Sequence, residues 1–233
     1  MSEASKETSI PIIFAPPTYQ YDKYKLDEKD ICIDPIEQFH KWYDEALKNP
    51  NETLPESVTF TTAELPSGRV SSRVLLFKEL DHRGFVIYSN WETSRKSKDI
   101  KTNPQAALNF FWKDLQRQVR VEGKTEFVNR DTTERYFQTR TRGSRLGSWV
   151  SKQTSILANR QELEDSMKQI EEKYDGDKAD EIQDIPCPAY WGGLRVVPLL
   201  IEFWQGREHR LHDRFVYTRQ NEDDDWKIMR LSP

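Results

Sequence analysis

The eleven residues Trp204–Arg214, WQGREHRLHDR, gather three arginines, two histidines and a tryptophan directly after the apolar run Val196–Phe203. Side chains along a strand alternate with period two, so a strand continuing through this stretch would put Arg210, His212 and Arg214 on one face. Two guanidiniums around an imidazole make a poor core and a good anion site. Arginine grips phosphate or carboxylate through paired hydrogen bonds, and histidine moves a proton near neutral pH. A polar edge strand paired with Glu208 and Asp213 accounts for the same residues.

Three further groups have anion-binding chemistry. Arg73 and Lys78 are five apart, on opposite faces of a regular strand; the alternative is two cations snorkelling at the ends of an apolar strand. Arg95 and Lys96 stand in the first turn of a helix-like SRKSKDIKT. Cations there oppose the helix dipole unless an anion occupies the free N–H groups, and the alternative is a solvated charged face. Tyr136, Arg140 and Ser144 are spaced by four, so one continuous helix would align all three as phosphate donors, although Thr-Arg-Gly before Ser144 tends to break it. Gln118 and the run Lys152–Gln153–Thr154 add polar donors. There is no GxGxxG, P-loop, GxSxG or metal-ligand pattern, and His209 and His212 lack a third ligand. A phosphorylated cofactor beside a phosphorylated small substrate suits these groups.

The elements that must position them follow from periodicity. Asp34-Pro35 is a cap followed by proline at the first helical position. Ile36, Phe39, Trp42, Tyr43, Ala46 and Leu47 then predict an amphipathic helix over 35–48. Strands are expected over SVTFTTAEL and VSSRVLLFKEL, joined by LPSGR, and at Gly84–Asn90, Gln105–Trp112 and Arg117–Val128. In that last strand Gln116, Gln118 and Arg120 would share a face, opposite Val119 and Val121. Helices are expected at 131–142 and 158–174, separated from the last strands by an acidic, proline-bearing loop. Those strands are WGGLRVVPLLIEFWQG, RFVYTRQ and DWKIMRL. Short antiparallel strands with a few helices imply a mainly β, α+β architecture, one barrel-like domain with helical additions. Residues 1–30 are expected to form a polar, flexible arm or lid and residues 31–233 the domain.

The 233 residues suffice for one large core or two small ones; 36% are hydrophobic and 32% charged. A net charge of −4 and pI near 5.7 speak against general nucleic-acid binding. Two distant cysteines, Cys32 and Cys187, predict neither a disulfide framework nor a zinc site. No apolar run approaches the ~18 residues of a membrane span. The N-terminus resembles neither a secretory signal nor a transit peptide, so a cytoplasmic protein is expected.

Together these residues resemble the pyridoxamine 5'-phosphate oxidase family, in a fungal-type form. The matching segments are RVLLFK (73–78), YSN and SRK (88–96), NP (103–104), LQRQVRVEGK (115–124), YFQTRTRGSRLGSWVSKQ (136–153), WGGLRV (191–196), EFWQGREHRLHDRF (202–215) and the terminal W-K-I-x-R-L-x-P. The resemblance covers nearly everything after about residue 35, boundaries of this kind being good to a few residues. It implies a split β-barrel homodimer with two FMN sites at the subunit interface. The implied reaction oxidises pyridoxamine or pyridoxine 5'-phosphate to pyridoxal 5'-phosphate with O2, releasing hydrogen peroxide, and ammonia from the amine. By the same resemblance FMN would be held by Arg73, Val74, Leu75, Leu76, Lys78, Tyr88, Ser89, Arg95, Lys96, Gln118, Gln153, Thr154, Trp204 and Arg214. Lys78, Tyr136, Arg140, Ser144, Arg210 and His212 would hold substrate, with Arg210 and His212 the catalytic pair. Tyr21 resembles a lid tyrosine; Thr18 stands where the bacterial lid has arginine, and Thr154 where bacterial members have serine. The competing readings are an NAD(P)H-dependent flavin reductase on the same barrel, a non-enzymatic vitamin B6 or flavin carrier, and a nucleic-acid-binding barrel.

Overall fold

Val58, Phe60 and Thr62 are buried while their neighbours are not, the period of a strand with one face on a core. The same alternation buries Ala106, Leu108, Phe110 and Trp112, then Val119 and Val121. In the computed structural model, which describes residues 15–17, 19–174 and 185–233, these patterns give, in order, α1 (Pro35–Lys48), β1 (Ser57–Ala63), β2 (Val70–Asp81), β3 (Gly84–Asn90), α2 (Arg95–Thr102), β4 (Gln105–Trp112) and β5 (Arg117–Phe127). There follow α3 (Arg130–Gln138), α4 (Arg142–Val150), α5 (Gln161–Tyr174), β6 (Trp191–Gln205), β7 (Asp213–Thr218) and β8 (Lys227–Arg230). Residues 1–14 of the expected arm, Thr18 and residues 175–184 of the acidic loop lie outside the described residues.

All strand pairs are antiparallel, and pairing of β3 with β6 closes the ring β1-β2-β3-β6-β5-β4 into a six-stranded barrel. β6 does double duty: Trp191–Val196 pairs with β3, whereas Leu200–Gln205 pairs with β7, which in turn carries β8. Where β6 changes partners it bulges at Leu199, opposite Glu122 and Gly123 of β5. A Cβ at Gly123 would collide with the Val197 carbonyl oxygen, so glycine lets the two backbones meet.

Helix α1 plugs the barrel. Asp34 accepts a hydrogen bond from Ile36 N at 2.8 Å, and the buried stripe is Phe39, Trp42 and Ala46. Phe39 meets the rings of Phe77, Phe85 and Phe110 edge-on at centroid distances of 5.7, 4.8 and 5.1 Å. Leu47, expected in the stripe, is exposed. A second core joins Phe137, Leu146, Ile185, Cys187 and Trp191 to the inner face of α5.

Three expectations are corrected. The helix expected over 131–142 ends at Gln138 and a new one starts at Arg142. Thr139 Oγ1 donates to Tyr136 O at 2.8 Å and Thr141 caps α4 by accepting from Ser144 N at 3.4 Å, so the two hydroxyls compete with the helical ladder. Gln116 precedes β5 with φ 55° and is fully buried rather than sharing the Gln118–Arg120 face. The run after Trp204 does not continue as strand: Glu208–Arg210 form a 3-10 turn with left-handed His209 (φ 55°) and Arg210 (φ 64°). Arg207 N donates to His212 Nδ1 at 3.1 Å and Arg207 Nη1 to Asp213 at 3.0 Å, which closes the β6–β7 connection. Arg210, His212 and Arg214 therefore do not share a strand face.

Residues 19–30 are docked on the barrel. Gln116 Oε1 accepts from Asp22 N and Lys23 N at 2.9 and 3.0 Å, Lys23 pairs with Asp114 at 2.6 Å, and Leu26 N donates to Asp213 at 3.1 Å. Among the described residues no helix is long and apolar enough to cross a membrane.

Gly123→Ala is expected to destabilise the fold by about 1–3 kcal/mol through overpacking, measured as a fall in urea midpoint. Gly143→Ala, where nothing lies within 4 Å of the added methyl, should cost nothing. Equal midpoints for the two variants would contradict the role given to the bulge.

Candidate active site

A cavity of about 760 Å³ opens between the outer face of β2, the end of β3 and the helices α3 and α4. Strand alternation sends Val74 and Leu76 outward to it, and Lys78 follows at the bulge between Phe77 and Glu79. Of the residues singled out from sequence, it gathers Val74, Leu75, Leu76, Lys78, Tyr88, Ser89, Tyr136, Arg140, Ser144 and Gln153. The break between α3 and α4 does not scatter Tyr136, Arg140 and Ser144: all three still line one wall.

Several of the polar side chains among them are braced. Tyr136 stacks on Tyr88 with ring centroids 4.0 Å apart, and Tyr88 in turn donates to Glu79 at 3.1 Å. Burial pushes both phenols above their ordinary pKa. Arg140 lies 4.7 Å over the Trp191 ring and donates to Ser148 Oγ at 2.5 Å. It forms no ion pair with a carboxylate among the described residues, and burial lowers its pKa. Lys78 is 3.6 Å from Glu56.

Behind Gln153 stands a second cationic group. Lys96 is 4% exposed. Its ammonium donates to Gln153 Oε1 at 2.5 Å and lies 5.3 Å over the Trp91 ring, again with no carboxylate among the described residues. Burial, with Arg73 adding repulsion, pushes its pKa down to about 8. Arg73 donates to Phe60 O, Thr62 Oγ1 and Ser71 Oγ at 3.1, 2.9 and 2.5 Å. Arg95, by contrast, pairs with Asp99 at 2.7 Å and Glu64 at 3.2 Å. Its backbone N–H reaches Thr154 Oγ1 at 3.4 Å, Thr154 holding φ 77°. A buried ammonium without a counter-ion, beside hydroxyls and a helix start, is a donor set that suits a phosphate.

The remaining candidates form a separate group. Trp204 packs on His212 at 4.6 Å and Tyr21 lies edge-on to both, at 5.1 and 5.5 Å. Gln118 and Arg214 pair with Trp204 from the flanking strands. Arg214 donates to Glu202 and to Ser232 O, each at 2.8 Å. Arg210 is exposed on its turn. Burial, with Arg210 nearby, lowers the His212 pKa. None of Gln118, Trp204, Arg210, His212 and Arg214 lines the cavity. Trp204 lies eleven positions along β6 from Gly193, which sits opposite Tyr88, roughly 36 Å of chain at about 3.3 Å per residue.

Sequence reading missed Asn90, Thr139, Thr141, Ser148 and Ser151, which also line the cavity, and the Asp99 network. The hydroxyl-rich run from Thr139 to Ser151 was a visible signal for the former; nothing local marks Asp99.

Residues 46–174 match a family model described as pyridoxamine 5'-phosphate oxidase, and residues 191–233 match a pyridoxine 5'-phosphate oxidase C-terminal dimerisation region. The chain is 63% identical to the pyridoxamine 5'-phosphate oxidase of Saccharomyces cerevisiae and 50% identical to a probable pyridoxamine 5'-phosphate oxidase of Schizosaccharomyces pombe, each over 100% of both chains. Among solved structures, PhzG from Burkholderia lata, crystallised with tetrahydrophenazine-1-carboxylic acid, superposes with a TM-score of 0.80 at 25% identity, covering 92% of this chain and 100% of that one. A pyridoxamine 5'-phosphate oxidase-related, FMN binding protein from Nostoc punctiforme shares the fold with a TM-score of 0.65 at 16% identity, covering 84% and 97%. The chain belongs to the pyridoxamine 5'-phosphate oxidase family.

Proposed function

We propose that the protein is an FMN-dependent oxidase converting pyridoxamine and pyridoxine 5'-phosphates to pyridoxal 5'-phosphate, with O2 reduced to hydrogen peroxide and ammonia released from the amine. The observation that carries this reading is two cations at the cavity that meet no carboxylate among the described residues, Arg140 on its wall and Lys96 reaching it through Gln153. Two such charges ask for two anions, one on the cofactor and one on the substrate.

Lys96, Arg73, Arg95, Ser89, Gln153 and Thr154 would hold the FMN phosphate and flank, with Val74–Leu76 and Tyr88 as the cavity wall. When bound there, FMN supplies a two-electron acceptor whose reoxidation by O2 yields the peroxide. Lys78, Tyr136, Arg140 and Ser144 would clamp the substrate phosphate, so that binding energy remote from the reacting carbon orients it. Trp204, Arg210, His212 and Arg214 do not line this cavity in one chain. They fall within the segment matching a dimerisation region, so in a homodimer the second copy would bring them. His212 Nδ1 is occupied by the Arg207 N–H, which leaves the neutral ring's proton on Nε2. With its pKa lowered, His212 therefore serves as a hydrogen-bond donor that holds the substrate ring, while the Arg210 guanidinium stabilises developing charge.

Anaerobic addition of pyridoxine 5'-phosphate to the yellow protein should bleach the oxidised flavin bands. A colourless protein that takes up no FMN, or turnover with NAD(P)H and none with this substrate, sinks the proposal, the latter in favour of a flavin reductase. Arg210→Ala should lose on the order of a hundredfold in kcat/KM, as for a lost charge-stabilising donor, with FMN affinity nearly unchanged; equal losses would argue against its role. The Lys96 pKa is depressed, so the stability tied to this group is fully present above the ordinary lysine value of 10.5 and is lost as pH falls through about 8. A bound phosphate favours the charged form, so FMN affinity should hold below pH 8 and decline above it. Lys96→Met should bind FMN weakly and without that decline, titrated by flavin fluorescence.

A further inference from the structure

Asp99 is fully buried in α2, yet no expectation from sequence touched it. Its Oδ2 accepts from Thr62 Oγ1 at 2.7 Å and Ser71 Oγ at 2.8 Å, and its Oδ1 accepts from Arg95 Nε at 2.7 Å. The same two hydroxyls accept from Arg73, Thr62 from Nη1 at 2.9 Å and Ser71 from Nη2 at 2.5 Å. The directions are forced, because a guanidinium only donates and a carboxylate only accepts. One carboxylate therefore holds two arginines from different elements. Arg95, at the start of α2, is held directly; Arg73, on β2, is held through a two-hydroxyl relay on the paired residues Thr62 and Ser71 of β1 and β2. Lys96 takes no part in this network and keeps its unbalanced charge.

We propose that Asp99 is a positioning residue that fixes Arg73 and Arg95 for the phosphate of the flavin and so makes the site select FMN over riboflavin. This rests on the FMN reading above. Burial disfavours the Asp99 carboxylate, but the Thr62, Ser71 and Arg95 hydrogen bonds outweigh that and hold its pKa below the usual range. The carboxylate is thus a fixed charge at neutral pH, and Coulomb repulsion alone would make it weaken anion binding. Preorganised donors work the other way, because the arginines lose no freedom when the anion arrives. The two effects predict opposite signs for Asp99→Asn.

The test titrates full-length, flavin-free protein with FMN and with riboflavin, following flavin fluorescence. Asp99→Asn should weaken FMN roughly tenfold, the size of one lost charge-assisted hydrogen bond, and leave riboflavin within about threefold. Ser71→Ala and Thr62→Val, which cut the relay without changing charge, should each shift FMN in the same direction. They carry the test if Asp99→Asn does not fold. Tighter or unchanged FMN binding in these variants overturns the inference, and so does an equal loss for both ligands, which marks a merely structural residue. Wild-type protein that binds FMN no better than riboflavin overturns the FMN reading and the inference with it.

Discussion

Charge buried without a counter-charge organises this molecule. Most of its arginines are satisfied by carboxylates: Arg195 by Asp81 and Glu126, Arg83 by Glu126 and Glu222, Arg117 by Glu45, Arg230 by Glu28 and Asp213. At the cavity, Lys96 and Arg140 meet no carboxylate among the described residues. Each rests instead on an aromatic face and one neutral acceptor. An uncompensated buried cation is costly, and such a cost persists where a ligand relieves it. The barrel, with its plug of aromatic rings around Phe39, is the rigid frame that keeps both cations from relaxing into solvent.

The path of β6 keeps two groups of candidate residues apart in one chain. At its start the strand closes the barrel against β3 and helps to wall the cavity through Trp191; at its end it pairs with β7 and presents Trp204. A single long strand thus carries two groups of candidate residues at its two ends, and the bulge at Leu199, opposite Gly123, is where it changes neighbours. Residues 191–233, which carry the second group, match a dimerisation region.

Hydroxyl groups set the finer geometry. Thr139 and Thr141 split one helix into two without moving Tyr136, Arg140 and Ser144 off a common wall, and Thr62 and Ser71 transmit the position of Asp99 to Arg73. Short polar side chains serve in both cases because they accept and donate at once.

Local pattern by itself determined the strands, the Asp34-capped helix, the hairpin of β1 and β2, and the motif spacings that mark the family, since φ/ψ preference and side-chain period are written in neighbouring residues. Tertiary structure alone decided which partner each charged group found. Arg95 and Lys96 are adjacent and chemically alike, yet one is neutralised by Glu64 and Asp99 and the other is stranded against Trp91. Likewise the run Arg210–Arg214 reads as a continuing strand until the Arg207 N–H meets the His212 ring and turns the chain. Periodicity fixes which way a side chain points within its element; what waits there comes from residues tens of positions away, and no local spacing encodes it.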